Sequence, residues 1–332
     1  MGKGLIGPGV AVTTWGTRGS IPTPGADFIR YGGNTACVTV AAPGSPLVVI
    51  DAGTGIAGLA RSLGRPDDFR CHLLLSHLHW DHLIGLPFFF TGDNASATVD
   101  VWGPEGEHGL KAGVDSVVCP PGFPIASDGL EGRWTFHDLH DEDALLDDSE
   151  WMLTARSIRH RGPTMGFRLE GYGVTIAYLS DHGPGAEGRP VAEDETVPDA
   201  VVDLVRGADL VFHDSQHTAE QYARFRHFGH CTPGYAVRVA AAGNAARLVL
   251  FHHDPGRTDA TIGVIVDEAV AAAKGLGYEG QIWPAAEGEV IELASSERGP
   301  HDMGLTPAAA GDGGRSGAGS TGNAGTTTGE PG

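Results

Sequence analysis

The sequence predicts one α/β (α+β) domain rich in β-strands, followed by a non-globular tail. Short apolar runs rich in Val, Ile, Leu and Thr recur between Gly, Pro and Asp residues, which is typical of strands. A few segments with helical periodicity lie among them without strict strand–helix alternation. The chain of 332 residues is 41% hydrophobic and 19% charged, which indicates a globular protein with a sizeable core.

The predicted elements follow in chain order. Apolar, β-branched runs bounded by turn residues predict strands at residues 10–14, 36–41, 47–50, 71–75, 99–102, 134–137, 152–158, 166–170, 174–179, 210–213, 247–251 and 289–293. Helical spacing predicts helices at 56–63, 219–228, 233–242 and 261–274. Thr258 or Asp259 would cap the last helix and Gly275 would end it. Surface excursions are expected at 119–132, 138–150 and 183–199.

The final segment differs from the rest of the chain. From residue 303 onward it consists mainly of Gly, Ala, Thr and Ser, without aromatic or β-branched apolar residues. Such a segment cannot bury enough apolar surface to offset the entropy of ordering it. We therefore predict a folded domain at 1–302 and a disordered tail at 303–332.

Charge and composition exclude several classes of protein. Lys and Arg total 22 against 42 Asp and Glu, a net charge of −20, which argues against a general nucleic-acid binder. The apolar runs are far shorter than the roughly 20 residues of a membrane span. Four widely spaced cysteines without a CxxC motif, and no leader-like N-terminus, predict a cytoplasmic protein with reduced thiols.

A histidine-rich stretch, LSHLHWDH at 75–82, predicts a metal site. Side chains two apart on a strand face the same way, so His77 and His79 would converge on one cation. A following turn would direct Asp81 and His82 towards a neighbouring cation. Imidazole and carboxylate ligands suit zinc, manganese or iron. Four ionisable groups between apolar runs would be costly to bury without such a partner.

Three further candidates, His160, Asp181 and His252, each follow a predicted strand. Polar ligands at several strand ends are what an active site at a sheet edge requires. HLHWDH resembles the HxHxDH motif of the metallo-β-lactamase superfamily, and the later His, Asp and His occur in that superfamily's order, over about residues 15–293. The resemblance implies a metallo-β-lactamase-like αββα sandwich, with two central mixed sheets flanked by helices and a dinuclear site at the sheet edges.

The resemblance also assigns the ligands. It implies that the first metal is held by His77, His79 and His160, the second by Asp81, His82 and His252, and that Asp181 bridges both. Asp51, in VVIDAGTG, would support these ligands through hydrogen bonds. His252 is preferred to His253 because it fits the family's Leu-x-Leu-x-His pattern, and His182 is expected to face the substrate or the surface.

A second resemblance indicates a particular branch of this superfamily. LVFHDSQHT followed by RHFGHCTPG is similar to the paired His-Glu-Ala-Thr and His-Ser-Thr elements of ribonuclease Z and cyclic-nucleotide phosphodiesterases. Asp214 would take the place of the glutamate and His230 that of the catalytic histidine, while Cys231 replaces the serine. The N-terminal WGTRGSIPTPG also resembles this branch. A bridging Asp181 argues against a true β-lactamase, and His79 argues against the redox members.

The resemblance to this branch implies a dinuclear phosphodiesterase that uses a metal-bridging hydroxide, and the net charge of −20 favours a small, cyclic-nucleotide-like phosphodiester. Asp81 would orient or deprotonate the water and His230 would protonate the leaving group. The expected cofactors are two divalent ions, zinc first, with manganese or iron as alternatives. The substrate is expected to be a small molecule rather than nucleic acid, with no membrane partner; the resembling branch commonly forms homodimers. The alternatives are a lactone or thioester hydrolase on the same metals, a ribonuclease Z-type endonuclease, and a non-catalytic metal sensor.

Overall fold

The structure, a computed structural model, describes residues 9–185 and 196–294. The predicted tail at 303–332 and most of the excursion at 183–199 lie outside these ranges, so the domain boundary at 302 stays a prediction. In the described ranges, none of the helices combines the length and apolar composition needed to span a bilayer.

Fourteen strands within the described residues form two seven-stranded mixed sheets. The first sheet has the order β14-β1-β2-β3-β4-β5-β6, with β3 to β6 parallel. Its strands are β1 (Val10–Gly16), β2 (Cys37–Ala41), β3 (Leu47–Ile50), β4 (Arg70–Leu74), β5 (Thr98–Pro104), β6 (Arg133–Leu139) and β14 (Val290–Leu293). The second has the order β13-β12-β11-β10-β9-β8-β7, with β10 to β13 parallel. Its strands are β7 (Glu142–Leu145), β8 (Met152–Ser157), β9 (Met165–Gly171), β10 (Val174–Leu179), β11 (Leu210–Asp214), β12 (Arg247–Phe251) and β13 (Gln281–Pro284).

Helices cover the outer faces of both sheets, which confirms the predicted sandwich. They are α1 (Ile56–Leu63), α2 (Trp80–Leu83), α3 (Leu110–Val118), α4 (Asp199–Val205), α5 (Ala219–Phe225), α6 (Pro233–Ala242) and α7 (Gly263–Leu276). Alternation along the strands builds the layers. Val48 and Ile50 pack between the sheets, whereas Val49 packs with the residues of α1 and α3. On β10, Tyr178 faces the other sheet, and Leu179 faces α4 and α6.

All twelve predicted strands are present, but several element predictions were wrong. The sequence did not predict β7, β13, α2, α3 or α4. It also placed the ends of α7 incorrectly. The helix begins after Ile262 without a side-chain cap and continues through Gly275 to a left-handed Gly277. Asp259 is not a cap because its carboxylate accepts the backbone N–H groups of Arg30 and Tyr31.

The parallel strands bring the predicted site residues to one edge of the sandwich. Asp51 directly follows β3, and His252 directly follows β12. Both residues have left-handed backbones, with φ of 60° and 58°. Non-glycine residues seldom adopt this conformation, and it often occurs at functional sites. The chain therefore turns sharply at the point where these side chains enter the site.

Candidate metal centre

The first ligand set comprises His77, His79, His160 and Asp181, whose ligand atoms lie within 4.8 Å of one another. His160 Nε2 is 3.2 Å from His79 Nδ1 and 3.4 Å from Asp181 Oδ2. His77 Nε2 is 3.7 Å from the same oxygen. Zinc–nitrogen bonds of about 2.0–2.1 Å in a tetrahedral site place neighbouring ligand atoms about 3.3–3.4 Å apart. The spacing of this set therefore fits a divalent cation.

The second ligand set comprises Asp81, His82 and His252. His252 Nε2 lies 3.3 Å from His82 Nε2 and 3.2 Å from Asp81 Oδ2. Asp181 Oδ1 lies 3.1 Å from the Nε2 atoms of both histidines. Asp181 thus presents one oxygen to each set, as a bridging carboxylate would.

Hydrogen bonds direct the ring nitrogens of the ligands inward. Asp51 Oδ2 accepts the Nδ1–H of His82 at 2.7 Å and the hydroxyl hydrogens of Tyr178 and Ser76 at 2.8 and 2.9 Å. Ser76 Oγ is 3.1 Å from His77 Nδ1, and within the described residues His77 Nε2 is buried without a hydrogen-bond partner. These bonds leave the Nε2 lone pairs free for a metal.

His160 is oriented by a glycine turn. Its Nδ1 donates to the carbonyl of Gly229 at 3.0 Å. Gly229 has φ of +90°, and a Cβ there would lie 2.8 Å from this nitrogen. Burial lowers the pKa of His160 to about 4 and that of His77 well below its ordinary value. Neutral imidazole is the form that binds metal.

The carboxylates give the site a negative electrostatic potential. Burial would raise the pKa of Asp181, but the neighbouring His252 and His82 hold it well below the ordinary value. Burial would likewise lower the pKa of His82, yet the carboxylates of Asp181, Asp81 and Asp51 raise it well above the ordinary value. The site therefore favours positive charge at this position, which a cation would supply.

The HLHWDH motif reaches this arrangement by a different route from the one predicted. The strand β4 ends at Leu74, so His77 and His79 lie in the loop that leads into α2. Asp81 and His82 lie on the single turn of α2. The prediction that His77 and His79 lie on a strand was therefore wrong, because their convergence comes from the loop.

His230 lies beside both ligand sets. Its Nδ1 donates to Asp214 Oδ2 at 2.6 Å, and its ring stacks on His252 with centroids 4.9 Å apart. The same nitrogen is 3.8 Å from Asp181 Oδ2. Burial would lower the pKa of His230, but the Asp214 carboxylate raises it above the ordinary value. Asp214, although shorter than the glutamate of the resembling motif, thus still reaches His230. The backbone N–H of Cys231 also donates to Asp214 Oδ1 at 3.3 Å.

Two nearby histidines lie outside the ligand sets. His253 Nε2 donates to the carbonyl of Ala285 at 2.9 Å. His182 is fully buried, and its Nδ1 is 3.0 Å from His213 Nε2 on the neighbouring strand β11. The expectation that His182 faces the substrate or the surface was therefore wrong, because it packs against a second buried histidine.

The N-terminal WGTRGSIPTPG segment contributes two features that the sequence reading did not assign. The backbone N–H of Ser20 donates to Asp81 Oδ2 at 2.6 Å. Gly19 lies against the ring of His252, where a Cβ would be 2.4 Å from Cε1 and 2.8 Å from Nε2. In the sequence, the resemblance of this segment to the ribonuclease Z and phosphodiesterase branch was the only indication of either role.

Substitution of Gly19 by alanine is expected to weaken cation binding at the second ligand set. The added methyl group must displace the ring of His252, because its contact with the ring would be far inside van der Waals distance. Metal content per chain after dialysis, measured by plasma emission, should fall relative to the unmodified protein. Gly263→Ala is the control, because a Cβ there has open space. Two tightly held cations in the Gly19 variant would contradict this role.

Comparison with known proteins agrees with the architecture. A family model described as "Beta-lactamase superfamily domain" matches residues 47–253. The structure resembles YhfI from Bacillus subtilis, a metallo-β-lactamase fold protein, with a TM-score of 0.61 and 18% identity over 85% of this chain and 99% of that chain. It resembles the short form of human tRNase Z with a TM-score of 0.56 and 22% identity over 85% and 98% of the two chains. At these identities the structural likeness shows the fold.

Sequence relatives are also similar over much of their length. Ribonuclease Z from Geobacillus kaustophilus is 26% identical over 54% of this chain and 69% of its own. Ribonuclease Z from Haloarcula marismortui is 26% identical over 83% and 94%. The family model covers more than half of the chain, and the fold and ligand geometry agree with it. The chain therefore belongs to the metallo-β-lactamase superfamily and is a hydrolase of that fold.

Proposed function

We propose that this hydrolase is a dinuclear phosphodiesterase that acts on small diesters. The observation that carries the proposal is the Asp181 carboxylate, which presents Oδ2 to the first ligand set and Oδ1 to the second. A bridging carboxylate supports two cations close together, which suits an anionic diester. The names of the ribonuclease Z relatives, and a solved diphosphatase of the PhnP family with a TM-score of 0.56 and 19% identity, support phosphoryl chemistry.

The seven ligand residues would hold two divalent cations, zinc first, with manganese or iron as alternatives. When bound, these cations supply positive charge that neutralises the phosphoryl oxygens and activates a water. Asp81, held by the Ser20 N–H, is placed to orient the water. His230 receives its orientation from Asp214 through Nδ1, so its Nε2–H would donate a proton to the leaving oxygen.

Net charge supports a small substrate. At −20 the protein repels a long phosphate backbone, whereas a single diester needs only the two cations to neutralise its charge. The relatives named ribonuclease Z and the solved human tRNase Z favour an RNA substrate instead. A precursor tRNA and a small diester therefore distinguish the two substrate sizes.

Turnover of bis(4-nitrophenyl) phosphate by the purified protein loaded with zinc or manganese is expected to exceed turnover of matched lactones and thioesters. Two cations would neutralise the negative charge of a diester, which a neutral lactone or thioester does not carry. The assay follows 4-nitrophenolate release beside a lactone, a thioester and a precursor tRNA. Lactone or thioester turnover far above diester turnover would contradict the proposal, and efficient tRNA cleavage would contradict the small substrate.

A further inference from the structure

Two consecutive residues after β11, Gln216 and His217, carry polar atoms that the proposed reaction leaves unused. Gln216 is 4% exposed and His217 is 3% exposed. Within the described residues, Oε1 of Gln216 and both ring nitrogens of His217 are buried without a hydrogen-bond partner. Buried polar atoms in native proteins are nearly always paired. Three unpaired atoms on adjacent residues therefore indicate a place for a polar ligand.

These residues adjoin the groups assigned to the reaction. The Gln216 N–H donates to Asp214 Oδ1 at 2.9 Å, and its side-chain amide donates to Ser20 Oγ at 3.2 Å. The ring of His217 lies 5.7 Å from that of His230, at an interplanar angle of 84°. The ring of His217 thus lies next to the residue that would protonate the leaving group, and Gln216 contacts the aspartate that orients that residue.

Aromatic rings continue from His217 towards the surface. The ring of Phe225 is 5.6 Å from that of His217, and Phe228 stacks on Phe225 with centroids 6.3 Å apart. Phe228 is 52% exposed, although it is one residue from Gly229, which orients His160. Aromatic faces of this kind bind planar rings with little dependence on their substituents.

We propose that Gln216, His217 and Phe225 form a subsite for the leaving group of the diester, and that this group is a neutral ring alcohol with hydrogen-bonding atoms, such as a nucleoside. The inference rests on the proposed function and adds the class of leaving group. His217 offers one donor and one acceptor, and Gln216 Oε1 offers a second acceptor. Burial lowers the pKa of His217 to about 4, so its ring is neutral at pH 7. None of these three side chains carries a charge that would favour a second phosphate.

Two variants of His217 separate hydrogen bonding from packing. His217→Phe keeps a flat ring between Phe225 and His230 but removes both nitrogens, and His217→Asn keeps a donor and an acceptor. Two diesters share a nucleoside 3′-phosphate and differ only in the alcohol that leaves: the 5′-hydroxyl of a second nucleoside, or benzyl alcohol. Both are primary alcohols that need a proton, but benzyl alcohol has no other polar group. The kcat and KM values are measured with the zinc- or manganese-loaded protein.

His217→Phe is expected to raise KM for the dinucleoside substrate about tenfold and to change KM for the benzyl diester by less than about twofold, as loss of one or two neutral hydrogen bonds would. His217→Asn should recover most of the affinity for the dinucleoside. The melting temperature of His217→Phe should not fall, because the nitrogens make no hydrogen bond to any residue that the structure describes. Equal losses on both substrates, or none on either, would overturn the subsite alone. A wild-type protein that cleaves neither diester would overturn the proposed function, and the subsite with it.

Discussion

Substitution of Asp181 by asparagine is expected to remove both cations and nearly all hydrolysis. Oδ2 of Asp181 lies 3.4 Å from His160 Nε2, and Oδ1 lies 3.1 Å from the Nε2 atoms of His82 and His252. The amide keeps the shape of the side chain but has no negative charge and only one acceptor oxygen. Its NH₂ group would face one ligand set and repel a cation there. The loss in affinity should therefore exceed the roughly 10–100-fold seen when a partner of a metal ligand is removed.

Metal content and thermal stability measure this loss independently of activity. A cation that binds only the folded protein stabilises it by about 2.7 kcal/mol at a free concentration 100 times its Kd. The wild-type melting temperature should thus rise when zinc or manganese is added, and that of Asp181→Asn should not. Asp203→Asn is the matched control, because this residue lies exposed on α4. Two cations per chain in the Asp181 variant would show that this residue is not a bridging ligand.

The fold was predictable where burial alternates along a strand. On β3, Val48 and Ile50 face one core and Val49 faces the other. The whole segment is therefore apolar, which identifies it as a buried strand. The strand β7 was missed because, among the described strands, it lies at the edge and pairs only with β8, and it carries exposed acidic residues. The helix α3 was missed although Leu110, Val114 and Val118 are buried at helical spacing, because Gly109 and Gly113 interrupt the pattern.

The ligand sets were predictable because most of their residues lie in one short motif or directly after apolar strands. The contacts that orient them join residues far apart in the chain, as Tyr178 does with Asp51 and Gly229 does with His160. Composition and periodicity carry no information on such pairs. His182 illustrates the limit, because only the parallel pairing of β10 with β11 shows that it lies beside His213.

Substitution of His230 by asparagine is expected to leave both cations bound and to slow diesters with alkoxide leaving groups by about 10²–10⁴-fold. The amide nitrogen can replace Nδ1 as the donor to Asp214, so the buried carboxylate keeps a partner. The variant lacks Nε2, the atom that would protonate the leaving oxygen. 4-Nitrophenolate leaves without a proton, so turnover of bis(4-nitrophenyl) phosphate should fall far less than that of a nucleoside diester. His72→Asn is the control, because His72 is a buried histidine on β4 that contacts Asp147 and Trp102.

The same variant decides whether His230 is an acid or a metal ligand. His230 also lies within ligand distance of Asp181 and His252, so a third arrangement of ligands is geometrically open to it. Its Nδ1, the atom 3.8 Å from Asp181, is committed to Asp214 at 2.6 Å, which favours the acid. If His230 is a metal ligand, the variant should lose a cation and hydrolyse both kinds of diester more slowly to the same extent. If His230 is the acid, the variant should keep both cations and lose rate only on the diester with an alkoxide leaving group. Because Asp181→Asn loses the cations in either case, two cations per chain in the His230 variant beside none in Asp181→Asn would identify His230 as the acid.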